Sequence, residues 1–344
     1  MIATHLHRLR SSAPLSAREV RSVFDLLLAS STSEPERVAL LLGLTLRPES
    51  PDELARLAGE MRRRAQPFHV PASDRAVDLC GSGGSRRPSF NVSTVSALVV
   101  AAAGTPVVKH GNRSARGPCG SSDLLAALGL PVASSVPFAR ATYARYRIAF
   151  LHAPLFHPAT RAVVAARRVL GIPTVFNRLG PLSNPAGVSI QVVGVPDRPT
   201  AGRVAHALRR LGVRRGLAMT SDEGCDEFSP HRLTRGIRWD TRGVHRFSVD
   251  PARLLETDER RGDWGPLPPD AAAEETDRLL AGGGGARRGA ILLTSGAVLW
   301  VAGRAPSLAR GVDRARDALD SGGAESLLGD LRTLARRYAP ARKE

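Results

Sequence analysis

Three short segments hold the residues whose types and spacing suit chemistry. The first runs Asp78-Leu79-Cys80-Gly81-Ser82-Gly83-Gly84-Ser85 and continues into Phe90-Asn91-Val92-Ser93-Thr94. An apolar run ends in a glycine-rich turn, and small hydroxyl residues and an amide then open an Ala/Val-rich helix. Such a turn lets backbone N–H groups approach an anion closely, and the helix start adds unpaired donors and the positive end of a dipole. The second segment, Lys109-His110-Gly111-Asn112-Arg113, brings a lysine and an arginine at the end of another strand-like run. Only Lys109 and Lys343 are lysines, so Lys109 is the single ammonium group within the expected fold. The third, Asp226-Glu227, offers paired carboxylates suited to a hard divalent cation.

These segments need elements to position them. Serines at 16, 33 and 50 open three helices in residues 1–69, and the apolar residues recur at helical spacing. After the hinge-like Pro67–Pro71 stretch, apolar runs read as strands: Val77–Cys80, Val107–His110, Ile148–Leu151, Val192–Gly194 and Leu217–Thr220. Ser93–Ala103, Ser121–Ala127 and Pro158–Val169 read as helices between them. This alternation predicts an α/β fold with a mostly parallel central sheet and ligands at the carboxyl ends of its strands. Residues 231–288 read as one hairpin plus a mobile loop, and the helices Leu292–Val301 and Ser307–Asp320 are expected to close the chain.

Composition bounds the function. The 344 residues are 42% hydrophobic and 24% charged, as in an ordinary globular protein. Three scattered cysteines, Cys80, Cys119 and Cys225, give neither a disulfide framework nor closely spaced zinc-ligand pairs. With no membrane-length apolar run and no hydrophobic leader, the expected location is the cytoplasm. The net charge of +17 raises a nucleic-acid reading, but the arginines are dispersed and stacking aromatics are few. A nucleic-acid partner is therefore not expected.

Taken together, the order of motifs resembles the anthranilate phosphoribosyltransferase family over nearly the whole chain. The order is a helical segment, the glycine loop, Asn91-Val92-Ser93-Thr94 and Lys109-His110-Gly111-Asn112-Arg113. There follow Asn177-Arg178-Leu179-Gly180-Pro181-Leu182-Ser183-Asn184-Pro185, Asp226-Glu227 and Val301-Ala302-Gly303. The resemblance implies a small helical N-terminal domain, residues 1–69 completed by helices from about 158–182. Residues 70–157 and 183–344 would form a larger α/β domain like that of nucleoside phosphorylases and class II phosphoribosyltransferases. It also implies transfer of a phosphoribosyl group from phosphoribosyl pyrophosphate to an aromatic amine, with Mg2+ as cofactor and pyrophosphate released.

Carried over residue by residue, Gly81, Ser82, Gly83, Gly84, Ser89, Asn91, Ser93, Thr94, Lys109 and Ser121 would hold phosphoribosyl pyrophosphate. Ser93, Asp226 and Glu227 would hold the metal. His110, Asn112, Arg167, Gly180 and Pro181 would line the acceptor pocket, with Lys109, Asn112 and Arg167 acting in catalysis and Arg167 meeting the acceptor carboxylate. His152 and His157 read as helix-start or packing residues. A homodimer through the N-terminal helices is implied, for which the stripe Val23, Leu27, Leu41 and Leu44 is available, although it serves equally as helical core.

The chain departs from the family pattern in places. The usual glycine-loop aspartate is Ser85, followed by Arg86 and Arg87, which puts added positive charge where phosphates are expected and suggests tighter phosphate capture. Thr220-Ser221 stand where His-Gly is usual. These changes leave the acceptor open: anthranilate in tryptophan biosynthesis, or another aromatic carboxylate in a specialised pathway. Two other functions compatible with the fold are a pyrimidine nucleoside phosphorylase and a noncatalytic nucleic-acid-binding relative.

Overall fold

The computed structural model describes residues 2–47, 49–82, 85, 87–114 and 117–338. Seven strands form one sheet in the order β3-β2-β1-β4-β5-β6-β7. They are β1 (Val77–Cys80), β2 (Val107–Gly111), β3 (Ile148–His152), β4 (Ile190–Gly194), β5 (Arg215–Ser221), β6 (Thr234–Asp240) and β7 (Gly243–Val249). The first five run parallel, and the β6–β7 hairpin adds antiparallel to β5. β1 to β4 are buried or nearly so along their length, which is why they read as continuous apolar runs rather than alternating ones. Because the five are parallel, the loops after β1, β2, β4 and β5 all leave from one edge.

Four helices precede the sheet: Ile2–Leu9, Ala17–Leu28, Glu34–Leu46 and Pro51–Arg63. Their starts follow from local chemistry. The Ser16 hydroxyl accepts from the Glu19 amide while the Glu19 carboxylate accepts from the Ser16 amide, and Ser50 caps through the Glu53 amide. Their apolar faces do not stand alone. Phe24, Leu27, Leu40, Leu41 and Leu57 share one core with Val163, Ala166, Val175, Phe176, Leu179 and Leu182, and with Val193 and Ala218 on the flank of the sheet. Val23, Leu27, Leu41 and Leu44 are all buried there, so that stripe is the chain's own core and not a free surface.

Several expected elements differ. Pro158–Val169 is not one helix: Pro158–Val163 is a 3-10 segment, and the α-helix Val164–Leu170 follows, stopped by Gly171 at φ +62°. In the span read as a hairpin and a loop, Pro269–Leu280 is helical. Pro269 sits in its first turn, where a missing N–H costs nothing, and Ala272, Thr276, Leu279 and Leu280 face the core. The helix expected at Leu292–Val301 begins earlier, at Ala286, straight after Gly285 at φ +100°. Leu308–Asp320 does not close the chain, because Gly323–Ala335 follows and buries Leu328 and Leu331. The helices Val136–Tyr146 and Arg198–Arg210 complete the layers over the sheet.

Candidate active site

At the carboxyl edge, β1 runs into Gly81 and Ser82. The Ser82 hydroxyl donates to Asp226 Oδ2 at 3.0 Å. A Cβ placed on Gly81 would lie 2.8 Å from the same oxygen, and a Cβ on Gly194, at the end of β4, would fall on the Asp226 carbonyl oxygen. Glycine at both positions makes room for the acidic loop, which is drawn down onto the sheet.

Lys109 is buried, and its Nζ donates to the Leu79 carbonyl at 2.7 Å and to Ser93 Oγ at 3.3 Å. The Ser93 amide, in the first turn of the helix Val92–Ala102, donates to Glu227 Oε1 at 3.3 Å. One ammonium, one helix start and two adjacent buried carboxylates thus converge. Burial, and then the charge of Asp226, push the Glu227 carboxyl up to about 8, while Lys109 and Ser93 pull against that shift. The two carboxylates and the Ser93 hydroxyl are hard oxygen donors whose mutual repulsion a divalent cation would relieve, so this set fits Mg2+.

The loop replacements lie beside this cluster. Ser85 Oγ donates to the Gly224 carbonyl at 3.2 Å, and the Arg87 guanidinium pairs with Glu223 at 2.7 Å. Arg87 is thus paired with the acidic loop, which offsets its part of the added positive charge expected there. Gly83, Gly84 and Arg86 lie outside the described residues. Asn91 donates to the Cys119 carbonyl at 3.1 Å, Thr94 is buried in the helix start, and Ser89 is half-buried.

Next to Lys109, the environment changes character. His110 Nδ1 lies 3.3 Å from the Gly180 carbonyl, and its ring centroid is 5.1 Å from that of His157, itself 3.0 Å through Nε2 from the Ser183 carbonyl. Burial first, then His157, push His110 down to about 3, so both rings are neutral. His110 Nε2 is buried and finds no hydrogen-bond partner among the described residues. Pro181 is buried beside this pair, and its carbonyl accepts from Gln191 Nε2 at 2.6 Å. Asn112 is exposed; its backbone exchanges hydrogen bonds with Ser121 Oγ at 3.1 and 3.0 Å, so Ser121 braces this turn.

Arg167 and Arg168 separate cleanly. Arg168 is exposed, whereas Arg167 is half-buried, with its guanidinium carbon 6.0 Å from the centre of the Phe176 ring and Nη2 donating to Asn177 Oδ1 at 3.3 Å. Asn177 itself caps the Val175–Leu179 turn through the Thr174 amide at 2.9 Å.

Three further residues belong to this site's frame. His157, read from the sequence as a helix-start or packing residue, packs tilted against His110, and Asp78 and Gln191, to which the sequence reading assigned no role, tie the strands beneath it. For Asp78 a signal was present: a carboxylate in the middle of an otherwise apolar strand.

The N-terminal residues 3–65 match the helical bundle domain of the glycosyl transferase family, and residues 73–325 match that family's α/β domain. Anthranilate phosphoribosyltransferase of Methylorubrum extorquens is 38% identical over 332 residues, covering 95% of this chain and 97% of that protein. The enzyme of that name from Natronomonas pharaonis is 37% identical, with 95% and 98% covered. The crystal structure of anthranilate phosphoribosyltransferase from Thermus thermophilus superposes with a TM-score of 0.87 at 35% identity, covering 96% of this chain and 99% of that one. The Saccharomyces cerevisiae enzyme, solved in complex with PRPP and Mg, shares the fold with a TM-score of 0.82 at 22% identity and 98% coverage of each chain. Having the helical bundle, the mostly parallel sheet and relatives this similar along almost its full length, the chain belongs to the anthranilate phosphoribosyltransferase family.

Proposed function

We propose that the chain transfers the phosphoribosyl group of phosphoribosyl pyrophosphate to anthranilate or a close aromatic carboxylate, with Mg2+ held by Asp226, Glu227 and Ser93. The observation that carries this reading is the meeting of Lys109, Ser93, Glu227 and Asp226 at one helix start on the carboxyl edge of the sheet. The relatives named for this activity, and the yeast relative's PRPP and Mg, support it.

In the transfer, the C1–oxygen bond to pyrophosphate breaks, a C1–nitrogen bond forms to the acceptor amine, and the amine loses a proton. Negative charge grows on the leaving diphosphate, so the work is mainly positioning and charge neutralisation. Lys109 supplies a fixed positive charge, while the backbone at Gly81 and Ser82 and the start of the helix Val92–Ala102 supply donors. Bound Mg2+ would add charge neutralisation at the diphosphate. Arg167 receives the acceptor's carboxylate, and the neutral His110, Asn112, Gly180 and Pro181 form the pocket for its ring. Gly83, Gly84, Ser89, Asn91, Thr94 and Ser121 are assigned to the diphosphate and ribose side.

The same reading takes residues 1–69 with about 158–182 as a helical domain and the remainder as the substrate-binding α/β domain. It places the protein in the cytoplasm as a homodimer. No helix among the described residues is long and apolar enough to cross a membrane. With the earlier stripe buried, the dimer contact is assigned to Leu46 on the N-terminal helices, 71% exposed, and to Val169, 68% exposed. Sedimentation of the wild type against Leu46→Glu checks it: an unchanged dimer, or a monomeric wild type, removes this assignment.

The activity test is incubation with phosphoribosyl pyrophosphate, Mg2+ and a panel of aromatic carboxylates, following pyrophosphate release. Release with anthranilate supports tryptophan biosynthesis, and release with another acceptor alone supports a specialised pathway. Phosphorolysis of thymidine or uridine without any such release would overturn the proposal.

A further inference from the structure

Asp78 occupies the middle of β1 and is fully buried. A carboxylate there is tolerated only if its oxygens are hydrogen-bonded, and both are. Oδ1 accepts from the His110 amide of β2 at 3.2 Å, and Oδ2 accepts from Gln191 Nε2 of β4 at 3.0 Å. Gln191 lies directly across from Asp78 in the sheet, and the same nitrogen donates to the Pro181 carbonyl at 2.6 Å. Asn184, at the end of the turn that contains Pro181, donates to the Val108 carbonyl of β2 at 2.8 Å. The charges of Lys109, whose side chain leaves β2 on the other face of the sheet, and of Arg62 in the helix Pro51–Arg63 also act on this carboxylate.

The carboxylate therefore stands between two pieces of chain that have no sequence proximity. One is the Lys109–His110 end of β2, and the other is the turn from Gly180 to Asn184. We propose that Asp78 is a positioning residue that locks these two pieces together, so that the lysine on the diphosphate side and the pocket on the acceptor side keep a fixed separation. The meaning of the two sides rests on the proposed transfer reaction, while the lock rests on geometry alone. Bond exchange at C1 requires amine and leaving oxygen at contact distance on either side of it. A misplacement of about 1 Å costs a reaction of this kind on the order of 100-fold.

Two variants separate this role from ordinary packing. Asp78→Asn keeps the shape and still accepts from His110, but its new NH2 group faces the Gln191 NH2 group. Gln191 must turn over and release Pro181. Gln191→Leu removes the Pro181 arm together with the donor to Asp78 Oδ2, and leaves Oδ1 with the His110 amide. Amide hydrogen exchange in the substrate-free protein, together with separate KM values for the two substrates and kcat, reads both.

For Asp78→Asn, exchange should speed up about tenfold at the end of β2 and in the Gly180–Asn184 turn, with the helix Leu308–Asp320 unchanged. The acceptor KM should rise about tenfold or more, with the KM for phosphoribosyl pyrophosphate within about threefold. Gln191→Leu should loosen the turn but not β2 and reproduce most of the acceptor effect, and the double variant should be no worse than Asp78→Asn. Uniform acceleration across the sheet, equal rises in both KM values, or additive effects in the double variant would overturn the proposal. Should Asp78→Asn not fold, the pattern in Gln191→Leu decides alone. A wild type that transfers to no acceptor, yet shows the expected exchange pattern in the variants, refutes the transfer reading and leaves the lock standing.

Discussion

Lys109 and His110 are neighbours on β2, yet they face chemically opposite surroundings. On the Lys109 side, the ammonium bonds Ser93 at a helix start, Ser93 bonds Glu227, and burial together with the charge of the adjacent Asp226 pushes Glu227 up to about 8. On the His110 side, two imidazoles are held neutral against Gly180, Ser183 and Pro181. Arg167, the cation proposed for the acceptor, rests on Phe176 and Asn177 in the turn that leads into Gly180. The contrast follows from alternation along one strand, where successive side chains point to opposite faces of the sheet. The lesson is that a single β-strand can divide a site into a charged half, where a diphosphate would leave, and a neutral half, where an aromatic ring would bind.

The contrast breaks most severely at its charged half. Lys109→Ala should lower kcat/KM for phosphoribosyl pyrophosphate by about 10²–10³, the usual loss when a preorganised group on developing charge is removed, with circular dichroism unchanged. A loss under about threefold would remove Lys109 from the diphosphate. On the neutral half, Arg167→Ala should raise the acceptor KM by about 10–100-fold through loss of a charge-assisted contact, whereas the exposed Arg168→Ala should change it by less than about twofold. Equal effects of the two would show that Arg167 does not meet the carboxylate.

Gly194→Ala tests how the charged half is held. Its methyl would land on the Asp226 backbone, which cannot move as a side-chain tip does, so about 1–3 kcal/mol of stability should be lost. Calorimetric Mg2+ affinity should fall as Asp226 shifts, and unaltered binding would mean that Gly194 does not place the acidic loop.

The neutral half carries its own pH signature. Folding takes His110 from its ordinary 6.5 down to about 3, so the unfolded chain binds this proton first as pH falls. Stability should therefore be lost between pH 6.5 and 3 by this group, and chemical-denaturation curves of His110→Gln should fall less steeply over that window than those of the wild type. Parallel slopes would place a charged imidazole in the fold. The smallest effect belongs to Arg87→Ala. Its pair with Glu223 is half-exposed on the arginine side, so about 0.2–1 kcal/mol should be lost, measured by thermal unfolding at low and high salt.

How much of this was legible in the chain depends on how far apart the partners lie. Helix starts at Ser16 and Ser50 are settled within three residues, and the glycine loop with Asn91–Thr94 suggests an anion site from the sequence because neighbouring residues alone would build one. β1 to β5 were readable because strands buried on both faces have a plain apolar signature. The helix Pro269–Leu280 was hidden by the Pro268-Pro269 pair, which reads as a loop until a core is there to take its apolar face.

Composition and short-range spacing thus determined the α/β class, the helix caps and the glycine-rich loop, and the order of motifs along the chain carried the family resemblance. Which groups meet was decided only by the tertiary structure. Ser82 reaches Asp226 across 144 positions, Arg87 is captured by Glu223 across 136, and Asp78 finds Gln191 across 113. Backbone propensity acts over a few residues, whereas charge pairing and burial act through space once parallel strands have brought distant loops to one edge.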